Sequence, residues 1–405
     1  MGTQMPPLSS GLASGGGPAV SGIRCSWPYV PSLIQSRGGA SWPLVSLRHP
    51  RRGDPELGPP AWAAWRLGAG ALGAAAVAPR GFAQGGPPIP VTSINHMTIN
   101  VTDPARSLKW YQGLFGTPIA ARQADTVVLR VGDGPQFLAI GGGASDNPRI
   151  NHLCLETPGF DADRIVGILE DHGVSSERTS GPMSVRVRMR GAEFGGAPEG
   201  TPELYFGDPD GLVIQLQDST YCGGAGVMGE ECLSTPELAP TAGLLSLGEY
   251  NHFTLFVTDA ERSIALYQRL FGMPIDTYQG ALPVLRVGQG RQFLALAGAG
   301  RGPTGPIIHH ASLSVADFDV DRIFGVLEDY GLEVLGEGGT ASGPLQTYVT
   351  MRGPERGGAE GGTPELYFTD PDGILIQLQD PSYCGGNGYL GEDCGTVESP
   401  TGRNA

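Results

Sequence analysis

Asn95-His-Met-Thr-Ile-Asn-Val-Thr-Asp103 returns 156 residues later as Asn251-His-Phe-Thr-Leu-Phe-Val-Thr-Asp259. A second pair, Thr201-Pro-Glu-Leu-Tyr-Phe-Gly-Asp-Pro-Asp-Gly211 and Thr363-Pro-Glu-Leu-Tyr-Phe-Thr-Asp-Pro-Asp-Gly373, follows at an offset of 162. A repeat of this length organises the chain before any local reading does. Residues 91–233 and 248–395 are read as two copies of one unit, joined by a Pro/Gly/Thr/Ala-rich linker at 234–247. The drift in offset places the extra residues in connecting loops.

Each copy divides again. Alternating Ile94, Met97, Ile99 and Val101 suit a strand, and Asp103-Pro104 supplies an N-cap and first-turn proline for a helix running to Phe115. Gly116 and Pro118 end that helix, and Thr126–Val131 and Gln136–Ile140 read as short strands. A second module begins at Ile150–Glu156, continues as a helix over Asp161–His172, and closes with strands near Val185–Met189, Glu203–Phe206 and Leu212–Gln217. The expected class is α+β, with two βαβββ modules per copy forming one half-open curved sheet whose concave face can hold a ligand.

The first 84 residues differ from the rest. They are rich in Gly, Pro, Ser and Ala, and carry seven Arg against Asp54 and Glu56. Arg51-Arg52, the apolar stretch Leu67–Ala78 and the small residues around Gly81–Gln84 follow the order of an export signal. The arginine pair resembles a Tat-type signal, although Gly-Asp-Pro follows where a hydrophobic pair normally stands. A low-complexity tail without a targeting role is the alternative. Export to a periplasmic or extracellular location is the expectation, and residues 396–405 are read as a disordered tail. The whole chain has a formal net charge of −15 and Lys109 as its one lysine. Nucleic-acid binding is thereby excluded, since phosphate neutralisation needs a basic surface. No apolar run of about 20 residues suggests stable membrane insertion.

Four of the six histidines beyond the leader occupy matching strand positions: His96 and His152 in copy one, His252 and His310 in copy two. Each pair opens the two modules of its copy, so module symmetry should bring the imidazoles together, and neutral imidazole ligates Zn, Fe, Ni and Cu. Strand histidines bonded to backbone are the alternative. His172 and His309 lack counterparts and are expected at the surface or behind the ligands.

Asn-His with alternating apolar residues and Asp, a helix ending Leu-Phe-Gly, and Tyr-Phe-x-Asp-Pro-Asp-Gly before a closing strand together resemble the vicinal oxygen chelate superfamily. That group includes glyoxalase I, methylmalonyl epimerase, fosfomycin- and bleomycin-resistance proteins and extradiol ring-cleaving dioxygenases. The resemblance covers both copies, and its motifs are specific for the fold and weak for the reaction. It implies metal ligands at His96, His152 and Gln215, and at His252, His310 and Gln377, for a divalent ion, with Fe or Mn favoured over Zn or Ni. Where the familiar closing-strand ligand is Glu, both copies have Gln, a weaker and neutral donor that leaves a cation more strongly Lewis-acidic.

Tyr205 to Gln215 and Tyr367 to Gln377 also resemble the ring-cleaving dioxygenase signature, which makes Tyr205 and Tyr367 the implied catalytic residues. The signature's histidine is absent from Gly195–Thr201. The implied activity is a dioxygenase-like oxidoreductase acting on a small oxygenated, catechol-type molecule. A glyoxalase- or epimerase-like lyase or isomerase, and a non-catalytic drug-sequestering protein, are the rivals. Pairing of the copies within the chain or as a homodimer stays open.

Other repeated residues have readings of their own. Glu203 and Glu365 are alternative ligands or acid/base groups, and Arg130 and Arg286 could bind an anion. The Asp-Pro-Asp-Gly segments are best explained as turns. Cys222 with Cys232 and Cys384 with Cys394 recur at a spacing of ten and read as disulfides of an exported chain, with three pairings open to four cysteines. Cys154 is expected as a buried free thiol.

Overall fold

The computed structural model describes residues 86–298, 305–336 and 339–395; the expected leader and tail lie outside them. Copy one runs β1 (Ile94–Asn100), α1 (Pro104–Phe115), β2 (Ile119–Gln123), β3 (Thr126–Arg130), β4 (Phe137–Ile140), β5 (Arg149–Glu156), α2 (Ala162–Asp171), β6 (Val185–Arg190), β7 (Thr201–Gly207) and β8 (Val213–Gln217). Copy two repeats the order as β9 (Leu247–Phe256), α3 (Ala260–Phe271), β10 (Ile275–Gln279), β11 (Leu282–Arg286), β12 (Phe293–Ala297), β13 (Ile307–Val315), α4 (Val320–Asp329), β14 (Glu333–Val334), β15 (Gln346–Arg352), β16 (Thr363–Thr369) and β17 (Leu375–Gln379). β2 and β10 were not singled out in the sequence. They complete the three strands that follow each first helix.

Local chemistry sets the strand-to-helix turns. The Asp103 carboxylate accepts from the backbone N–H groups of Ala105 and Arg106, and Pro104 takes the first turn, where no N–H is needed. Gly116 closes α1 at φ 65°, a left-handed conformation that favours glycine. Asp259 and Gly272 repeat both caps on α3.

The sheet of copy one has the order β2-β3-β4-β1-β5-β8-β7-β6, and copy two matches it with β14 added at the far edge. Within a module the first and last strands pair in parallel, β1 with β4 and β5 with β8. The modules join through antiparallel β1 and β5. The two modules of a copy therefore form one curved sheet, with helices on one face and the first-strand histidines on the other.

The helix-side residues of the two copies merge into a single core. Met97, Ile99, Leu114, Leu153 and Ile214 belong to the same buried cluster as Phe253, Leu255, Leu270, Leu313 and Ile376. Burying each such side chain stabilises by roughly 1.5–3 kcal/mol. Two polar exchanges fix the register of this packing. Gln292 Oε1 accepts from Ile94 N (2.7 Å) while its amide donates to Tyr250 O (2.7 Å); Gln136 Oε1 accepts from Tyr250 N (2.9 Å) while its amide donates to Ile94 O (2.9 Å).

The Asp-Pro-Asp-Gly turns add a second reciprocal contact. Asp210 receives Thr258 and Arg262 at the start of α3, and Asp372 receives Thr102 and Arg106 at the start of α1. Turn chemistry accounts for the motif's shape, since Asp208 Oδ1 accepts from Asp210 N and Leu212 N. Docking of the other copy accounts for its second aspartate.

The concave faces carry smaller cores. In copy one Tyr221 packs with Ala121, Val128, Phe137 and Ala139, and in copy two Tyr383 packs with Val284, Phe293 and Ala295. The segments that begin with these tyrosines are closed by Cys222–Cys232 and Cys384–Cys394 bonds. Loop closures of this length are worth about 3 kcal/mol each on the chain-entropy account. Cys154 is a buried free thiol. No helix among the described residues is long and apolar enough to cross a membrane.

Candidate functional site

Strand register gathers the sequence-predicted residues into one row. Across copy one the partners are Phe137, His96, Cys154, Gln215, Tyr205 and Arg186, one from each of six neighbouring strands. Copy two aligns Phe293, His252, Ser312, Gln377, Tyr367 and Tyr348. The second histidine of each copy sits two residues before the thiol or hydroxyl, on the same side of its strand. The His96 and His152 rings are 5.5 Å apart, and so are those of His252 and His310. The row spans Cys154 and Ser312 without obstruction because both are small: His96 Nε2 lies 3.1 Å from Gln215 Oε1, and His252 Nε2 lies 3.1 Å from Gln377 Oε1.

Neighbouring asparagines decide the imidazole tautomers. The Asn95 amide donates to Tyr221 O (2.9 Å) and to Glu156 Oε1 (3.2 Å), so its oxygen faces His96 and accepts from Nδ1–H at 2.7 Å. With the proton on Nδ1, Nε2 of the neutral ring presents a lone pair. His152 Nδ1 donates in the same way to Asn151 Oδ1 (2.8 Å), and its Nε2 is buried without a partner. Burial keeps both rings neutral: His96 is held well below its ordinary range, and His152 is pushed down to about 4. Two imidazole lone pairs and one amide oxygen thus share a buried place.

Copy two departs at one nitrogen. Asn251 orients His252 as Asn95 orients His96, and burial pushes His252 down to about 3. His310 Nδ1, however, faces His309 Nδ1 at 2.8 Å, and a single proton serves both. Only when His310 holds that proton does its buried, unpartnered Nε2 carry a lone pair.

The implied catalytic tyrosines flank the second histidines. The Tyr205 ring meets His152 edge-on at 5.3 Å and the Tyr367 ring meets His310 at 5.4 Å. Their hydroxyls donate to Glu203 (3.1 Å) and Glu365 (3.5 Å), and burial holds both phenols protonated. Glu203 also accepts from Arg190 Nε (2.6 Å) and the Tyr221 hydroxyl (2.9 Å); Glu365 does so from Arg352 (2.7 Å) and Tyr383 (3.0 Å). Both arginines are fully buried, and they bond Gly224 O and Gly386 O of the disulfide segments. Each glutamate therefore anchors the segment that covers the histidines.

Arg130 and Arg286 pair in register with Phe137 and Phe293, one strand beyond the ends of the rows. Arg286 pairs with Asp276. Arg130 lines a cavity of about 1010 Å³ between the copies, together with Gln136, Glu156 and Glu249. The cavity's link to the histidines is indirect, through Glu156 and Asn95. His172 bonds Ile168 O at the end of α2.

The asparagines, Tyr221 and Arg190 were not anticipated from the sequence. A signal for the first existed: Asn precedes His96, His152 and His252. Among the described residues no group of three His, Cys, Asp or Glu side chains is arranged to hold a metal.

The family described as Glyoxalase/Bleomycin resistance protein/Dioxygenase superfamily matches residues 93–216 and 249–378. None of the curated proteins matches the chain. Among solved structures, the 2,3-dioxygenase LapB from a Pseudomonas species is similar at 14% identity and TM-score 0.50, over 72% of this chain and 92% of that one. A Mn(II)-bound glyoxalase from Novosphingobium aromaticivorans aligns at 16% identity and TM-score 0.49, over 72% and 82% of the two chains. Homoprotocatechuate 2,3-dioxygenase from Arthrobacter globiformis aligns at 19% identity and TM-score 0.48, over 73% and 82%. Likeness at these identities speaks to the fold alone.

Proposed function

The chain belongs to the Glyoxalase/Bleomycin resistance protein/Dioxygenase superfamily, and from that membership we propose that each copy is a divalent-metal site acting on a small oxygen-rich molecule that chelates the ion. His96, His152 and Gln215 would hold the ion in copy one, and His252, His310 and Gln377 in copy two. Fe or Mn is favoured, with Zn or Ni as alternatives. One observation carries the reading: the lone pairs of His96 Nε2 and Gln215 Oε1 face each other at 3.1 Å beside the unpartnered Nε2 of His152. Unmatched buried acceptors cost about 1–3 kcal/mol each, and a cation at their meeting point removes that cost.

A bound cation would supply Lewis acidity to an oxygen ligand, undiminished by any ligand carboxylate. The protein's own contribution is positional. Asn95 and Asn151 hold the imidazoles in the ligating tautomer, as partners behind metal-binding histidines do. Phe137 stacks on His96 at 4.1 Å and Tyr221 closes over it, excluding water. Tyr205 and Tyr367, protonated and adjacent to His152 and His310, would donate to a substrate oxygen by turning their hydroxyls from Glu203 and Glu365.

On this basis the favoured activity is a dioxygenase-like oxidoreductase on a catecholic substrate. The neutral Gln in the place of the usual Glu supports a second reading, a glyoxalase- or epimerase-like lyase or isomerase that polarises a carbonyl. The two disulfides support an oxidising compartment, and we infer export to the periplasm or beyond.

Elemental analysis of protein purified without chelators tests the reading. Up to two equivalents of Fe or Mn, one lost in His152→Ala and the other in His310→Ala, is the expected result, followed by catechol turnover under O₂. No metal after reconstitution would overturn it and leave Gln215 as an amide donor to His96.

A further inference from the structure

The two sites agree at the histidines and glutamines and diverge on the strand at the rim. In copy one β6 places Arg186 over the Tyr205 ring, its guanidinium carbon 5.1 Å from the ring centre. Two residues on, Arg188 reaches Glu203 at 3.4 Å with half its side chain exposed. In copy two β15 carries Tyr348 and Thr350 at the same register positions. Tyr348 is buried and stacks on Tyr367, centroids 5.0 Å apart and planes within 15°, while Thr350 donates to Glu365 at 3.3 Å.

The difference changes both charge and shape. Glu203 is one carboxylate facing two guanidinium groups, Arg190 and Arg188, with Arg186 as a third cation beside the site that has no carboxylate partner among the described residues. In copy two Arg352 balances Glu365, and the charge of exposed Arg356, in the short 3-10 turn after β15, acts on Tyr367. Arg186 also lines a small cavity of about 80 Å³ with Tyr205, Ser180 and Ser184, next to the ring that touches His152. A guanidinium beside a hydroxyl-lined hollow is suited to a planar carboxylate. A stacked tyrosine pair is suited to an uncharged ring.

We propose that the copies select different ligands: copy one takes a chelating molecule that also bears a carboxylate, recognised by Arg186 and Arg188, and copy two takes an uncharged aromatic one, recognised by Tyr348. This rests on the metal-chelating reading of the preceding section. It assigns the ligand class of each site and separates two sites that the repeat makes look equivalent.

The test measures binding by calorimetry to the metal-loaded full chain, with protocatechuate, which is a catechol carrying a carboxylate, and with catechol itself. His310→Ala isolates copy one and His152→Ala isolates copy two. In the His310→Ala protein protocatechuate should bind about tenfold more tightly than catechol, and adding Arg186→Gln and Arg188→Gln should erase that preference. Both arginines are exposed on an edge strand, so the fold tolerates their loss. In the His152→Ala protein protocatechuate should have no advantage until Tyr348→Arg introduces one. The same preference in both single-copy proteins, or a carboxylate preference that survives the two arginine substitutions, would overturn the inference and leave the metal-chelating reading intact. Failure of both diols to bind any of the proteins would overturn that reading, and this one with it.

Discussion

Set side by side, the two copies share the histidines, glutamines and tyrosines of the row and differ at positions between, behind and beside them. The His–Gln contact is 3.1 Å in each and the His–His ring separation is 5.5 Å in each. Yet Asn151 corresponds to His309, Cys154 to Ser312, Glu156 to Ser314 and Arg186 to Tyr348. Packing explains the division. Inner residues are constrained from several sides at once, so a change in one demands changes in its neighbours. Arg186, on the exposed edge strand, answers to fewer partners and its position has separated from Tyr348, while the buried exchange of Cys154 for Ser312 keeps a small side chain between the histidine and the glutamine.

The comparison breaks most readily at the buried arginines. Arg190→Leu leaves Glu203 buried beside two phenols with its main counter-charge gone, which costs about 3–5 kcal/mol. Arg352→Leu should cost the same, by chemical denaturation, if the inner shells are equivalent; a difference above about 1 kcal/mol would show that exposed Arg188 compensates in copy one alone. Next come the covering segments. Replacing both cysteines of either disulfide by Ser should lower stability by about 3 kcal/mol, equally for Cys222/Cys232 and Cys384/Cys394.

The turns between the copies give a pH dependence. Burial raises Asp208 and Asp370 to about 6 from 3.8, against the backbone N–H groups that oppose the shift. A folded-state pKa above the unfolded one contributes stability that is full below about 3.8 and is lost as pH rises through about 6. The two aspartates therefore favour pH 5 over pH 7, by roughly 1.3 kcal/mol each at most, against the buried histidines, whose lowered values favour pH 7. Asp208→Asn or Asp370→Asn should shift the difference in urea resistance between pH 5 and pH 7 toward pH 7 by that amount, and an unchanged difference in both variants would show that the aspartates do not contribute to it.

The finest distinction lies at the fourth histidine's neighbour. Asn151→Ala should weaken metal binding in copy one by ten- to hundredfold, roughly 1.4–3 kcal/mol. His309→Asn should tighten copy two, because it removes the competing claim on the shared proton. Metal titration of each single-copy protein measures both, and no change at His309→Asn would mean that His310 already holds the proton.

Much of this was readable in advance. The strands and helices that repeat between copies, the histidine and glutamine positions and the ten-residue cysteine spacing each left a local mark. β2 did not: Ile-Ala-Ala-Arg-Gln lacks a β-branched run and is held by backbone pairing to β3 and by residue 237 beyond it. The roles of Tyr221 and Arg190 depend on partners more than ten residues away that no spacing reveals. The second aspartate of each turn is explained only by the other copy's helix. The Asn-His doublets were visible, and their significance appears only once the asparagine's other hydrogen bonds fix which atom faces the ring.

The exchange between Gln136 and Gln292 has a consequence for ancestry and assembly. Each glutamine does to the opposite first strand what the other does in return, which is the self-complementary pattern of an isologous two-fold contact. The chain carries, inside one polypeptide, the interface of a symmetric pair. Covalent linkage turns what would be a concentration-dependent encounter into an intramolecular one. It also frees each half from having to match itself, since a substitution in one half is no longer copied into the other.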